Sequence, residues 1–288
     1  MSNGIQNRQN EESSITRLAA QRQLYNDVGV LDRIDLCFSV VVPFILAIVQ
    51  VIFPSVNWVV NTSYILAIAM LFLTLFFDKA VRNKKILASS IQQDFDVYVF
   101  QMPWDEARFG KRKNLIQEIA EKSKKLMSKP SERERLTNWY RPEVDPLPLE
   151  KGIFACQREN YNWDGGLRKR YRAFALVLVI LLGAVVIAIG LTQNESVQKL
   201  LSRIVFILPM LKWLLKLWSD LGKDIERLEE LESEMNNTAE KAMIDLQIIQ
   251  QGIFEHRKNS VKVPNLIYNL FKDNDEDREH RIIQIDTH

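Results

Sequence analysis

Residues 173–191 read AFALVLVILLGAVVIAIGL, without a charge or a proline. The hydrocarbon core of a bilayer is about 30 Å thick, which roughly 20 helical residues cross, whereas apolar runs of about 10–14 suit a buried core helix. Working outward, residues 36–53 (LCFSVVVPFILAIVQVIF) and 58–77 (WVVNTSYILAIAMLFLTLFF) are equally free of charge. Mean hydropathy is only −0.12, because these apolar residues are bunched within a chain of 288. The first window follows a long polar segment and lacks a small-residue cleavage site, so it is not a signal peptide. Together the windows predict an integral membrane protein.

A fourth window, 199–218 (KLLSRIVFILPMLKWLLKLW), is apolar in bulk but carries Lys199, Arg203, Lys212 and Lys216. It reads either as an interfacial amphipathic helix or as a span whose cations snorkel or face protein and water. Parity favours a span, and the short polar turn at 192–198 (TQNESVQ) suits a hairpin. The expected fold class is therefore an all-α integral membrane protein with two transmembrane helical hairpins and a cytoplasmic helical domain. The expected parts are an amphipathic N-terminal helix (1–35), a first hairpin (36–78), a basic helical insert (79–172), a second hairpin (173–218) and a heptad helix with a charged tail (219–288). Lys79, Arg82, Lys84 and Lys85 flank one window, and Arg168, Lys169, Arg170 and Arg172 flank another. Lys and Arg near span ends stay on the cytoplasmic side, which predicts both termini and the insert in the cytoplasm.

Within 13–34, Ile15, Leu18, Ala19, Tyr25 and Val28 share one helical side. Leu87, Ile91, Phe95, Tyr98 and Met102 do the same on a helix that Pro103 stops. Residues 111–128 form a basic helix, and 141–152 (RPEVDPLPLEKG) is proline-punctuated and extended. Ile225, Leu228, Glu232, Met235, Ala239, Ala242, Leu246, Ile249 and Ile253 alternate steps of three and four, an a/d seam with one polar position. That seam can pair in trans or pack in cis against the helix of 84–101. The element at 260–271 reads as a docking segment.

Signatures of catalysis are missing: no Gly-rich phosphate loop, GxSxG elbow or HExxH. Cys37 and Cys156 offer no disulfide framework, and His256, His280 and His288 no zinc-type spacing. Cys156 reads as a small buried hydrophobe, and Asp94 and Asp96 as solvated or local ion-pair partners. The expectation is a non-enzyme without cofactor or metal. Asp164 can cap the helix beginning at Gly165, with Trp163 at headgroup level and the basic cluster on anionic lipid. Anchoring leaves Gln157, Arg158 and Asn160 unexplained. Trp139, Tyr140, Arg141, Arg158, Asn160, Trp163 and Arg168 form a candidate ligand surface, since Arg pairs with phosphate and aromatic faces stack on bases.

The stretches AAQRQLY (19–25), QDFDVYVFQMPWD (93–105), DPLPLEKGIFACQRENYNWDGGLRKRY (145–171) and VPNLIYNLF (263–271) resemble the SMODS-associated four-transmembrane effectors of bacterial anti-phage systems, with the CQRxNxxWD core at 156–164 the most specific. The resemblance implies an effector beside a cyclic-oligonucleotide synthase. Bound by that messenger, it assembles or opens and breaches the inner membrane, killing the infected cell. Its expected partners are the lipid bilayer, a cyclic oligonucleotide and further copies of itself, with no duplex nucleic acid. Arg203 and Lys212 are candidates to line a wet path or anchor the fourth window. The competing reading is a membrane scaffold that uses the 225–253 seam as its partner surface.

Overall fold

The computed structural model describes residues 2–42, 44–45, 48–49, 57–192, 197–237, 241–264 and 267, and among them every regular element is helical. In chain order these are α1 (Ile5–Gln9), α2 (Glu12–Leu36), a π-turn (Cys37–Val41), α3 (Asn57–Val99), α4 (Glu106–Phe109), α5 (Lys113–Met127) and α6 (Pro130–Glu134). A short 3₁₀ turn (Pro142–Val144) precedes α7 (Leu149–Thr192), α8 (Val197–Asn236) and α9 (Met243–Asn259). The chain divides into two compact units. The first joins Met1–Val28, Arg82–Leu167 and Asp224–His288, and the second joins Gly29–Val81 and Arg168–Lys223. Helices α2, α3, α7 and α8 contribute residues to both.

The structure corrects the four-span expectation. Among the described residues no helix is long and apolar enough to cross a membrane, where a crossing needs about 20 consecutive, mostly apolar helical positions. The absence of charge in a window does not delimit an element. The second and third windows lie inside α3 and α7, which continue far into charged sequence. Much of the 36–53 window, the 54–56 turn and residues 193–196 of the second turn lie outside the described residues, as does most of the 260–271 docking segment. The fold class that stands is all-α.

The first unit is organised around the C-terminal part of α3. From Ala88 to Val97 every side chain is buried. A helix enclosed on all sides belongs to a core. Its apolar positions Phe95 and Val97, with Phe100 just past its end, pack with Ile15 and Leu18 of α2, Leu136 and Tyr140 of the segment before α7, Ile153 and Cys156 of α7, and Leu246 of α9. The periodicities read from sequence lie on these packed faces, since Ile15, Leu18, Ala19, Val28, Ile91 and Phe95 are all buried. Helix α3 ends at Val99, where Gln101 takes a left-handed conformation (φ 57°) and the Met102 amide donates to the Val97 carbonyl at 2.9 Å. A left-handed residue after the last turn is a common helix stop.

The N-terminus is clasped by the loop before α7. Asn3 donates to the Val144 carbonyl at 2.7 Å, and the Gln6 and Gln9 amides both donate to the Tyr140 carbonyl at 2.9 Å. Gly152 is required at this clasp, because a Cβ there would lie 3.1 Å from the Val144 carbonyl oxygen and 2.5 Å from Asn3 Nδ2.

The heptad seam does not form one helix. It breaks between α8 and α9, and the Ala242 amide at the restart donates to the Asp245 carboxylate at 3.0 Å. Leu231 and Met235 of α8 then meet Ile249 and Ile253 of α9 in a core of their own. The two halves of the seam pack on each other, an arrangement that neither expected alternative described, with Leu231 rather than Glu232 in the cluster.

In the second unit Tyr171, Ala175, Leu214 and Leu221 are buried. The Arg172 guanidinium lies 4.4 Å from the centroid of the Trp218 ring, a cation–π contact that strengthens when desolvated. Burial, with the nearby Asp32 charge, pushes the Tyr171 phenol up to about 12.

Candidate functional site

A helix buried all round and carrying the sequence QQDFD must pair every polar group it hides, since an unpaired one costs several kcal/mol. Asp94 is 2% exposed and receives Arg17 Nε at 2.6 Å and Arg112 Nε at 2.5 Å. Asp96 is 0% exposed and accepts from Tyr140 Oη at 2.6 Å, Gln250 Nε2 at 2.9 Å and Arg257 Nη1 at 2.5 Å. Both aspartates are thus buried and paired across the chain, not solvated or locally bridged as expected. Burial works against the Arg257 charge, yet the Asp96 carboxylate holds that guanidinium above its ordinary value. Burial, reinforced by Asp96, drives the Tyr140 phenol well above its usual range.

The network continues through amides. Gln157 Nε2 donates to the Leu246 carbonyl at 2.9 Å and to Gln250 Oε1 at 3.1 Å, and Gln250 Nε2 also reaches Gln93 Oε1 at 3.0 Å. Next to it lies a cleft of about 180 Å³ lined by Gln93, Gln247, Gln250 and Gln251 together with Met102, Trp104 and Phe109. Trp104 Nε1 donates to the Gly110 carbonyl at 2.8 Å, and its ring meets Phe109 at 5.2 Å. Phe109 in turn sits edge-on to Phe254 at 5.0 Å. Asp105 caps α4, accepting from the Ala107 and Arg108 amides at 3.0 and 3.2 Å.

The residues chosen from sequence fare differently. Tyr140 is a core residue, stacked on Phe95 at 6.1 Å, and Asn160 Nδ2 approaches its hydroxyl at 3.4 Å. Trp139 packs edge-on to Phe95 at 6.5 Å, and Arg141 is spent on Glu159 at 2.9 Å. Arg158 and Trp163 are half-buried and engaged by neighbours. Arg168 belongs to the second unit and is buried there. Lys212 is exposed, and the Arg203 side chain lies outside the described residues. Asp164 is no helix cap, because α7 runs through it and its carboxylate meets His256 Nε2 at 2.6 Å. Cys156 is fully buried, and burial pushes its thiol well above the ordinary range, so it offers no thiolate near neutrality. Gln93, Trp104, Gln247, Gln250, Gln251 and Arg257 were not singled out as site residues. The available signal was polar density, in QQDFD at 92–96 and QIIQQ at 247–251, on faces that otherwise read as core.

Compared with known families, residues 3–284 match the family model described as the SMODS-associating 4TM effector domain. The chain belongs to this family. It is also similar to a protein of Bacillus cereus (strain VD146) named "Probable CBASS effector molecule", at 22% identity over 284 residues covering 94% of each chain. No solved structure matches. Membership places this SMODS-associating effector in anti-phage defence, and the segment 93–105 that carries much of the resemblance also supplies Gln93, Met102, Trp104 and Asp105 of the cleft.

Proposed function

We propose that the protein is a non-catalytic effector of anti-phage defence that a cyclic oligonucleotide messenger switches on. Copies of it then assemble at the bacterial inner membrane and permeabilise it, and the infected cell dies. Family membership supports the defence role, and the relative's name, which refers to CBASS, supports a messenger of this class.

One observation carries the membrane half of this reading. The second unit presents large apolar side chains to its surroundings: Ile65 is 70% exposed, Phe72 67% and Leu191 73%, with Ile68, Phe76, Val177, Ile180 and Leu181 also exposed. Ile65, Ile68, Phe72 and Phe76 recur at steps of three and four, as one helical face does. Surfaces of this kind mark protein or membrane contacts, because covering apolar area gains roughly 25 cal/mol per Å². Lipid and a second copy of the chain are the covers that the proposed assembly offers. The competing scaffold reading loses its surface, since Leu231, Met235, Ile249 and Ile253 of the seam are buried within the chain.

Dye release tests the proposal. Purified protein is added to vesicles of phosphatidylethanolamine and phosphatidylglycerol loaded with a self-quenched dye, with and without cyclic di- and trinucleotides. Release that needs a nucleotide and rises steeply with protein concentration is expected. Toxicity in cells carrying a cyclic-oligonucleotide synthase, with membrane potential intact and no release from vesicles, overturns it.

A further inference from the structure

The cleft beside the buried network holds polar groups the fold does not use. Gln93 is 1% exposed, and its carbonyl accepts from Gln250 at 3.0 Å. Gln247 and Gln251 stand one turn apart on α9 and line the same cleft, and neither side chain is hydrogen-bonded among the described residues. Three amides beside Gln250 therefore line one small space. A side-chain amide presents a donor and an acceptor side by side, the pattern that reads the edge of a nucleobase.

Aromatic rings complete the lining: the Trp104 indole nitrogen is committed to Gly110 at 2.8 Å, and Trp104 and Phe109 border the cleft. Gly110 has φ +82°, with nothing within 4 Å of a Cβ, so the backbone conformation and not space calls for glycine. A volume of about 180 Å³ is below the roughly 300–1,000 Å³ of pockets for drug-sized molecules. It suits one planar ring system, with the rest of a larger ligand outside. The residues following Phe109 are basic. Arg112 lies 6.0 Å over the Trp104 ring and Arg108 offsets Asp105 at 3.2 Å, while Lys111 and Lys113 are exposed and in no ion pair among the described residues.

We infer that this cleft takes one nucleobase of the cyclic oligonucleotide, stacked on Trp104 and read by Gln93, Gln247 and Gln251, with Lys111 and Lys113 meeting its phosphates. The inference rests on the proposed function and gives the messenger its place. It also locates ligand contact beside Gln250, whose amide is shared between Gln93 and Asp96.

The test is calorimetric titration of the detergent-solubilised full chain with cyclic di-AMP, cyclic di-GMP, cyclic GMP-AMP, cyclic UMP-AMP and cyclic tri-AMP, with AMP and GMP alongside. One cyclic nucleotide is expected to bind. Trp104→Leu and Gln251→Leu weaken it roughly tenfold or more, since one stacked base or bidentate amide is worth that much. Gln93→Leu also changes the order of preference among bases. Lys111→Ala with Lys113→Ala weakens every cyclic nucleotide together and flattens the salt dependence. Gln251 is half-buried and its side chain is in no hydrogen bond among the described residues, so its variant keeps the test open if Gln93→Leu does not fold. Wild-type affinity in both Trp104→Leu and Gln251→Leu overturns the site while the messenger reading stands. Equal affinity for AMP or GMP overturns the assignment to a cyclic ligand. A wild-type protein that binds no cyclic nucleotide in the panel overturns the messenger reading and the site together.

Discussion

The first unit encloses charged and amide side chains, and the second leaves large apolar ones in the open. In the first, Asp94, Asp96, Gln93, Gln157 and Gln250 are buried, and the aspartates are held by Arg17, Arg112 and Arg257. In the second, Trp58, Ile65, Phe72, Phe76, Ile180 and Leu191 are exposed. Each is the reverse of what a folded chain in water favours, and the reversals differ in kind. A buried polar network is costly unless complete, so it selects one arrangement. An exposed apolar face costs the isolated chain and becomes favourable only when another surface covers it. The contrast separates a unit suited to recognition from one suited to contact with lipid or copies.

The largest expected effect lies at Asp96. Arg257→Leu leaves a carboxylate at 0% exposure without its cation, and breaking a buried pair from one side costs about 3–5 kcal/mol. Urea unfolding followed by circular dichroism should show it. Adding Asp96→Asn should recover part of the loss, because the two sites are coupled. A loss below about 0.5 kcal/mol, the range of ordinary surface changes, would break the comparison.

Next comes the clasp. Gly152→Val places a side chain against the Val144 carbonyl and Asn3, and overpacking of this kind costs about 1–3 kcal/mol. The expected readout is a lower unfolding midpoint, with faster proteolysis before Glu12.

Tyrosines compare the two units directly. Tyr140→Phe removes a hydroxyl donor from Asp96 and costs about 1–2 kcal/mol at neutral pH. Tyr140 and Tyr171 both have phenols raised by burial. Above pH of about 10 the unfolded phenol releases its proton while the folded one keeps it. The unfolded state then binds fewer protons, so stability falls as pH rises. For Tyr171 the window runs from about 10 up to about 12. Unfolding midpoints between pH 9 and 11 should fall less steeply in Tyr140→Phe and in Tyr171→Phe than in the wild type. Equal slopes in all three proteins would remove the pH argument from both units.

Much of the first unit was legible in sequence, because Ile15, Leu18, Ile91 and Phe95 repeat at helical spacing and spacing fixes a face. The break in the heptad seam was not. Ala239 and Ala242 continue the three–four pattern in sequence, yet Ala242 is exposed where α9 restarts. The seam folds back, with Leu231 taking the place counted for Glu232. Asp164 before two glycines looked like a cap for the same local reason, while His256, distant in sequence, decides its role. The glutamine cleft was hidden because an amide on a core face gives no periodic signal. Its meaning comes from which donors the fold leaves unspent. The uncharged windows at 58–77 and 173–191 did point to the unit with exposed apolar side chains, but an uncharged window is not a helix end, so four spans did not follow from them.

The smallest effect on stability should accompany the largest on the proposed activity. Ile65→Ser with Phe72→Ser replaces two side chains that the isolated chain leaves about two-thirds exposed. Exposed substitutions away from caps and cores usually shift stability by less than about 0.5 kcal/mol, so urea midpoints should stay near the wild type. Each serine removes apolar area that would otherwise leave water on contact with lipid or another copy, worth roughly 25 cal/mol per Å². Vesicle binding and dye release should therefore drop severalfold while cyclic-nucleotide affinity is unchanged. Loss of stability without loss of release would mean that these side chains serve the fold. The second unit would then differ from the first in composition and not in purpose.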